Sequence, residues 1–69
     1  MKFKLLDVVR ATEDVPGFAV KAGDIGTVVE VYEDGDYEVE FCDQDGRTLT
    51  TLAMPDRQLQ SAVPRLQAA

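Results

Sequence analysis

The sequence offers few side chains that could carry out catalysis. It has no histidine and only one cysteine, Cys42, so neither a Ser-His nor a Cys-His pair can form. Cys42 is expected to lie on a strand among acidic residues, an environment that blunts the reactivity of a thiol. Carboxylates are numerous, but a pair that hydrolyses a glycoside must face each other across a cleft, and a chain of 69 residues leaves little room for one. We therefore expect that the protein is not an enzyme.

The segment Asp43-Gln44-Asp45-Gly46 resembles the middle of a calcium-binding loop. If Gly46 takes the glycine position of an EF-hand loop, the first and last ligand positions fall on Phe41 and Leu52, and neither can supply the required carboxylate. The usual zinc ligand sets are also excluded, because there is no histidine and no second cysteine. The sequence thus predicts no metal and no cofactor, and it explains residues 43–46 as a hairpin turn.

The length of the chain, 69 residues, indicates one domain. We place it at residues 1–66, with residues 67–69 as a frayed tail. The apolar run after Lys2 and Lys4 stops at Asp7, too early for a signal peptide, and no segment approaches the length of a transmembrane helix. One unpaired cysteine agrees with a reducing compartment. A cytoplasmic location and no association with membranes are expected.

Negative charge is concentrated in the middle of the chain. Residues 21–45 contain nine acids and one base, Lys21, giving −8 within a chain whose total is −6. Such a segment repels the phosphates of nucleic acids and anionic lipid surfaces. Two interpretations stay open, namely a surface that keeps the protein soluble and a surface that binds a basic protein partner.

Alternating apolar residues and frequent turn residues predict an all-β fold. The predicted strands are, in order, residues 5–10, 25–32, 36–42, 48–53 and 61–66. A long connection separates the first two strands, and one short helical turn, at residues 54–59, precedes the last strand. Short antiparallel strands of this kind bend into a small closed sheet. We therefore predict a five-stranded SH3-like barrel.

The turn at Asp34-Gly35 sets the predicted register of the second and third strands. A three-residue loop at 33–35 places glycine at the left-handed position that such loops favour. Val31 then pairs with Tyr37, and Val29 with Val39. The alternation Tyr37-Val39-Phe41 marks the face of the third strand that points into the core.

A second three-residue loop, residues 44–46, again ends in glycine. It predicts that Phe41 pairs with Leu49. Leu52 then falls on the outer face unless a β-bulge intervenes, and the sequence leaves this open.

The predicted register gathers acidic side chains on the outer face of the sheet. Glu30 lies directly across from Glu38, with Glu40 two residues further along, although like charges facing each other across strands cost up to about 1 kcal/mol. Tyr32 lies at the rim of this group. Phe18 is the aromatic residue expected to project from the connection at residues 11–23. The candidate partner-binding residues are Phe18, Glu30, Tyr32, Glu38 and Glu40.

The segment KAGDIGTVVEV, residues 21–31, resembles strands of KOW-type and other SH3-like domains found in ribosomal and transcription proteins. That resemblance implies an association with nucleic acid, which the acidic charge balance opposes. Grooves for proline-rich peptides and cages for methyl-lysine need clustered aromatic residues. The chain has no tryptophan, and Tyr32 and Tyr37 are predicted on opposite faces.

Nearly the whole chain resembles a family of small bacterial proteins classed as a domain of unknown function. The shared features are an LxDxV start, a GDxGTVVEVY strand, a YEVEF strand followed by DxDG, and an LxxxQL turn; they correspond here to residues 5–9, 23–32, 37–46 and 52–59. The spacer before Gln58 is longer than the family pattern. The resemblance implies an SH3-like barrel, no catalytic residue, and a small stand-alone partner protein with an antitoxin-like or immunity-like role.

The expected function is a non-enzymatic module that binds another protein through a basic surface of that partner. Two alternatives remain, a KOW-like module associated with nucleic acid and a purely structural or oligomerising unit. The sequence leaves the oligomeric state open.

Overall fold

The computed structural model describes residues 2–62, which form one antiparallel sheet of five strands. The strands are β1 (Val8–Ala11), β2 (Ile25–Val31), β3 (Asp36–Cys42), β4 (Thr48–Pro55) and β5 (Leu59–Ser61). Two 3₁₀ helices of three residues each, Pro16–Phe18 and Asp56–Gln58, lie in the connections. The predicted fold class is confirmed: the domain is all-β, with five strands and a helical turn before the last one.

The order of the strands requires the sheet to curl. Along the sheet the order is β4-β3-β2-β1-β5, so β4 and β5 are the two edges. Only the three residues Asp56–Gln58 connect these edges. A flat sheet of five strands would hold its edges about 19 Å apart, whereas the four peptide links between the strands span at most about 15 Å. The edges must therefore approach each other at the end where this connection joins them.

The core lies inside this curled sheet. Tyr37, Val39 and Phe41 of β3 are all buried, as their alternation predicts. Every strand contributes, and so do the segment before β1 and the connection before β2. The other buried residues of the core are Phe3, Val9, Ala11, Val20, Val28, Leu52, Met54 and Leu59.

A β-bulge interrupts the pairing of β2 with β3. Val31 pairs with Tyr37 as predicted, but Val28, and not Val29, pairs with Val39. The predicted pairing of Val29 is wrong because the register shifts between Val28 and Glu30, which leaves Val29 as the extra residue. The bulge lets Val28 turn fully into the core while Val31, three residues later, still packs against it.

A second bulge lies between β3 and β4. Phe41 pairs with Thr50 and Cys42 pairs with Thr48, so the predicted pairing of Phe41 with Leu49 is wrong. Leu49 is the extra residue, and its side chain is 61% exposed. Because of this extra residue, the side chains of β4 after Leu49 switch faces, so that Leu52 pairs with Val39 and is buried. This is the bulge that the sequence left open.

The two hairpin loops have the predicted three-residue form. Gly35 has φ of 97° and Gly46 has φ of 83°, and both values lie in the region that favours glycine. Aspartate side chains brace each loop: Asp34 Oδ1 accepts from the Asp36 amide at 2.9 Å, and Asp43 Oδ1 accepts from the amides of Asp45 and Arg47 at 2.9 Å each.

The first strand begins later than predicted. It starts at Val8 and not at residue 5, because Leu6 adopts a left-handed backbone with φ of 71°. Leu5 and Leu6 consequently point into solvent. Phe3 enters the core instead, and its ring meets that of Tyr37 edge-on at 5.3 Å between centroids.

The end of the chain also departs from the prediction. Met54 and Pro55 extend β4, so the helical turn predicted at residues 54–59 is limited to Asp56–Gln58. The last strand, predicted at residues 61–66, is Leu59–Ser61, because the buried side chain of Leu59 anchors it to the core. Residues 63–66 of the predicted strand and the predicted tail at 67–69 lie outside the described residues.

Candidate interaction surface

Three glutamates form what we call the acidic face, the outer surface of β2 and β3 that carries Glu30, Glu38 and Glu40. Glu30 and Glu38 are direct partners in the β2–β3 ladder, as predicted from the loop at residues 33–35. Glu40 lies two residues further along β3 and pairs with Thr27 on β2. The alternation that buries Tyr37, Val39 and Phe41 places Glu38 and Glu40 on the outside. Glu30 shares their face because it lies directly opposite Glu38.

Tyr32 lies beside the acidic face and donates a hydrogen bond from its hydroxyl to Glu38 Oε1 at 2.8 Å. This hydrogen bond is the main cause that raises the pKa of Tyr32 above its ordinary value of 10.0, and partial burial and the charges of Glu38, Glu30 and Asp34 raise that pKa further. The same hydrogen bond orients the carboxylate of Glu38.

The side chains that donate hydrogen bonds to the acidic face are uncharged hydroxyls. Glu40 accepts a hydrogen bond from the hydroxyl of Thr48, and Glu38 accepts the one from Tyr32. Across residues 2–62 these three glutamates make no ion pair with a lysine or an arginine. The negative charge of the face is therefore held in place without being neutralised.

Phe18, the remaining predicted site residue, is separate from this group. It ends the 3₁₀ helix Pro16–Phe18 in the connection between β1 and β2, and its side chain is 47% exposed. The next residue, Ala19, borders a hollow near Cys42, at the end of β3 opposite to Tyr32. The structure thus brings together Glu30, Tyr32 and Glu38, with Glu40 next along the strand, and leaves Phe18 elsewhere.

The hollow beside Ala19 has a volume of about 170 Å³ and was not foreseen from the sequence. Exposed Ile25 and Leu49 give it an apolar wall, and exposed Cys42 also lines it. Asp24 also lines the hollow, and its carboxylate accepts from the Lys21 amide at 3.0 Å. Leu49 could have been assigned to a surface only if the bulge in β4 had been recognised.

Within residues 2–62, no three side chains of the types that bind metal come together as a ligand set. No helix in the same range has the length and apolar character needed to cross a membrane.

The fold and the surface define a small all-β domain with a clustered acidic face. The chain belongs to the family described as Domain of unknown function (DUF4926), whose sequence model matches residues 5–61. The matched range runs from the segment before β1 to the end of β5 and includes the whole acidic face. No curated protein and no solved structure matches the chain.

Proposed function

We propose that this protein is a non-enzymatic interaction module that binds a partner with a basic surface through the acidic face. The observation that carries the proposal is the direct pairing of Glu30 with Glu38 across two strands. Like charges in this position oppose folding. A surface that only keeps the protein soluble needs negative charge but does not need it in adjacent positions.

Clustered charge benefits an interaction surface. It accelerates the encounter with a partner of opposite charge and disfavours partners of the same charge. Tyr32 adds an aromatic ring and a hydroxyl at the rim of the acidic face, and tyrosine is enriched at protein interfaces because it combines apolar area with a polar group. Its hydrogen bond to Glu38 fixes that carboxylate before a partner arrives, which lowers the entropy lost on binding.

The test compares two variants with the same change in charge. The first combines Glu30→Gln, Glu38→Gln and Glu40→Gln. The control replaces three exposed acids that are not part of the face, Glu33→Gln, Asp45→Asn and Asp56→Asn. Wild-type protein is used to capture its partner from a lysate of the source cells, and association kinetics are measured with the purified partner.

We expect the face variant to associate more slowly than the control variant, and high salt to have the same effect on the wild type. Unchanged kinetics in the face variant would reduce the acidic face to a solubilising surface. Gel retardation of DNA or RNA at low salt, where electrostatic binding is strongest, would favour the KOW-like alternative instead.

We further propose that the partner is a basic protein encoded beside this one in a bacterial genome, which this chain restrains in the cytoplasm in an antitoxin-like or immunity-like manner. This part of the proposal rests on the family resemblance of the sequence patterns. Co-expression with the product of the neighbouring gene tests it, and the expected result is a complex that elutes as one species in size-exclusion chromatography. Separate elution of the two proteins would reject this partner.

A further inference from the structure

β4 is a long edge strand without charge. It runs through the eight residues Thr48–Pro55, with the sequence TLTTLAMP, and among residues 2–62 only β3 pairs with it. Natural edge strands are commonly short or carry charged residues, because an open edge is a template for pairing with another chain. The opposite edge follows that rule, since β5 has three residues. Within the described part of the chain, the features that protect β4 are the bulge at its start and Pro55 at its end.

The direction of the backbone groups along β3 is fixed at both ends of the strand. The Asp43 amide donates to the Arg47 carbonyl at 2.9 Å across the β3–β4 hairpin, and the Tyr32 amide donates to the Asp36 carbonyl at 3.0 Å across the β2–β3 hairpin. Successive residues of an antiparallel strand bond to opposite sides. The residues of β3 that bond to β4 are therefore Tyr37, Val39 and Phe41, and their partners are Met54, Leu52 and Thr50.

Thr51 and Ala53 alternate with those partners, so their amides and carbonyls point away from β3, toward the free edge. Their side chains are exposed on the outer surface of the sheet. Ala53 lies next to Glu38 and Thr51 next to Glu40, because these are direct pairs of the β3–β4 ladder. The open backbone edge and the acidic face are therefore adjacent, and only one row of small side chains separates them.

We propose that the free edge of β4 accepts an extended basic segment of a partner protein, which adds a sixth strand to the sheet. This inference rests on the proposed function, since it names how the basic partner docks. Backbone groups of Thr51 and Ala53 would bond to the added strand, in the mode known as β-augmentation. Alternate side chains of that strand would lie on the outer surface, and a lysine or an arginine there faces Glu38 and Glu40.

The distances favour long basic side chains. An added strand lies about 5 Å from β4 and about 10 Å from β3. Lysine and arginine have long stems that can lie along neighbouring surface while the charged group reaches beyond it, and the methyl group of Ala53 leaves the way to Glu38 open. A short side chain in the same position would not reach the acidic face.

Charge also decides against a second copy of this chain as the occupant. Pairing β4 with β4 of another copy would place two acidic faces on one continuous sheet and join two chains of net charge −6 each. Self-repulsion of that kind opposes association. A basic segment is attracted to the same surface.

The test uses two short peptides of equal length and equal charge, one alternating Lys with Val and the other the same peptide with every backbone amide N-methylated. N-methylation removes the amide hydrogens that an added strand must donate to β4, so only the first peptide can add a strand. Binding is measured by titration calorimetry at low salt, and amide exchange of Thr51 and Ala53 is followed by NMR. Ala53→Pro removes one outward amide and keeps the bonds to β3, and Ala53→Ser is its matched control.

We expect the unmodified Lys–Val peptide to bind at least about tenfold more tightly than its N-methylated form, a difference that Ala53→Pro abolishes and Ala53→Ser preserves. The amides of Thr51 and Ala53 in the wild type should exchange more slowly when the Lys–Val peptide is bound. That exchange measurement decides the question even if Ala53→Pro fails to fold.

Other outcomes overturn the inference in distinguishable ways. Equal binding of both peptides, lost in the Glu30→Gln, Glu38→Gln, Glu40→Gln variant, would reject the edge and retain the acidic face as the binding surface. If this variant binds the Lys–Val peptide as tightly as the wild type does, the acidic face does not attract the peptide. That result would reject both a basic segment as the occupant of the edge and the proposed function. Absence of binding by both peptides would reject β4 as a docking site. A dimer of the free protein that protects the amides of Thr51 and Ala53 would reject it as well. Neither result would reject the proposed function, because the association kinetics with the captured partner test the acidic face separately.

Discussion

Gly26 of β2 pairs with Phe41 of β3 and leaves no room for a side chain. A Cβ atom at this position would lie 2.7 Å from Val39 Cγ1, 2.9 Å from the Glu40 carbonyl oxygen and 3.0 Å from Phe41 Cδ1. The carbonyl oxygen belongs to the sheet and cannot rotate away. Glycine is required here by close approach of the backbone, and its φ is not in the left-handed region.

We predict that Gly26→Ala lowers the free energy of unfolding by about 1–3 kcal/mol, the usual cost of overfilling a packed core. Gly17→Ala is the control, because nothing lies within 4 Å of the Cβ it would add. Urea denaturation of both variants checks this. Equal midpoints for the two would show that β2 and β3 can separate at Gly26 at no cost.

Tyr32 carries a prediction about pH. Its raised pKa, caused first by the hydrogen bond to Glu38, means that the folded state favours the protonated hydroxyl. The contribution of this bond is fully present below the ordinary value of 10.0 and is lost as the pH rises through the higher value of the folded state.

An NMR titration of the Tyr32 ring should therefore show a pKa above 10.0 in the wild type and a lower one in Glu38→Gln. Glu33→Gln changes the charge by the same amount nearby and should have a smaller effect, because Glu33 makes no such bond. If both variants titrate alike, general charge and not the hydrogen bond sets the pKa.

At the scale of the elements, the two hairpin loops depend on their glycines. Gly35 and Gly46 have positive φ, yet nothing lies within 4 Å of a Cβ at either position. The cost of a side chain there is therefore backbone strain alone, and it is about 1–3 kcal/mol for a residue that tolerates this conformation poorly.

Gly35→Val and Gly46→Val should each be destabilised by at least about 1 kcal/mol in chemical denaturation. Gly17→Val serves as the control, since Gly17 has neither positive φ nor close neighbours. Wild-type stability in both loop variants would mean that the loops can adopt another turn at no cost.

The sequence predicts those parts of the sheet that depend on local chemistry. The loop at residues 33–35 fixes the nearest pairs, so the partnership of Glu30 with Glu38 could be predicted from the residues alone. The next pairs could not be predicted, because the bulge at Val29 depends on tertiary packing: it allows the side chain of Val28 to be buried in the core. Alternation alone cannot show where an extra residue is inserted.

Other features depend on tertiary contacts that no local pattern reveals. Phe3 is buried because the hydroxyl of Tyr37 accepts from the Lys2 amide at 2.9 Å and from the Phe3 amide at 3.1 Å, which anchors the segment before β1. The open edge of β4 follows from the order of the strands. That order is set by pairings between segments that are distant in the chain, such as β1 with β5, and no local pattern of residues predicts these pairings.

At the scale of the whole molecule, the negative charge should make stability depend on salt. The Debye length falls from about 30 Å to about 3 Å between 0.01 M and 1 M salt, so repulsion within the acidic face is screened. We expect the melting temperature of the wild type to rise with sodium chloride. The variant with Glu30→Gln, Glu38→Gln and Glu40→Gln should rise less.

The variant with Glu33→Gln, Asp45→Asn and Asp56→Asn separates the effect of the face from that of net charge. It has lost the same number of charges but keeps the Glu30–Glu38 pair, so its melting temperature should still respond to salt more than that of the face variant. Equal responses in the two variants would assign the salt dependence to net charge alone.

The position of β1 between β2 and β5 also bears on the moment at which the fold can be completed during translation. β2, β3 and β4 follow one another and can pair as soon as they leave the ribosome, because only short loops must close. β1 emerges before them but keeps one side unpaired until Leu59–Ser61 appears. Such distant pairings are the slow step in small β proteins. The nascent chain therefore carries an incomplete sheet until β5 is released.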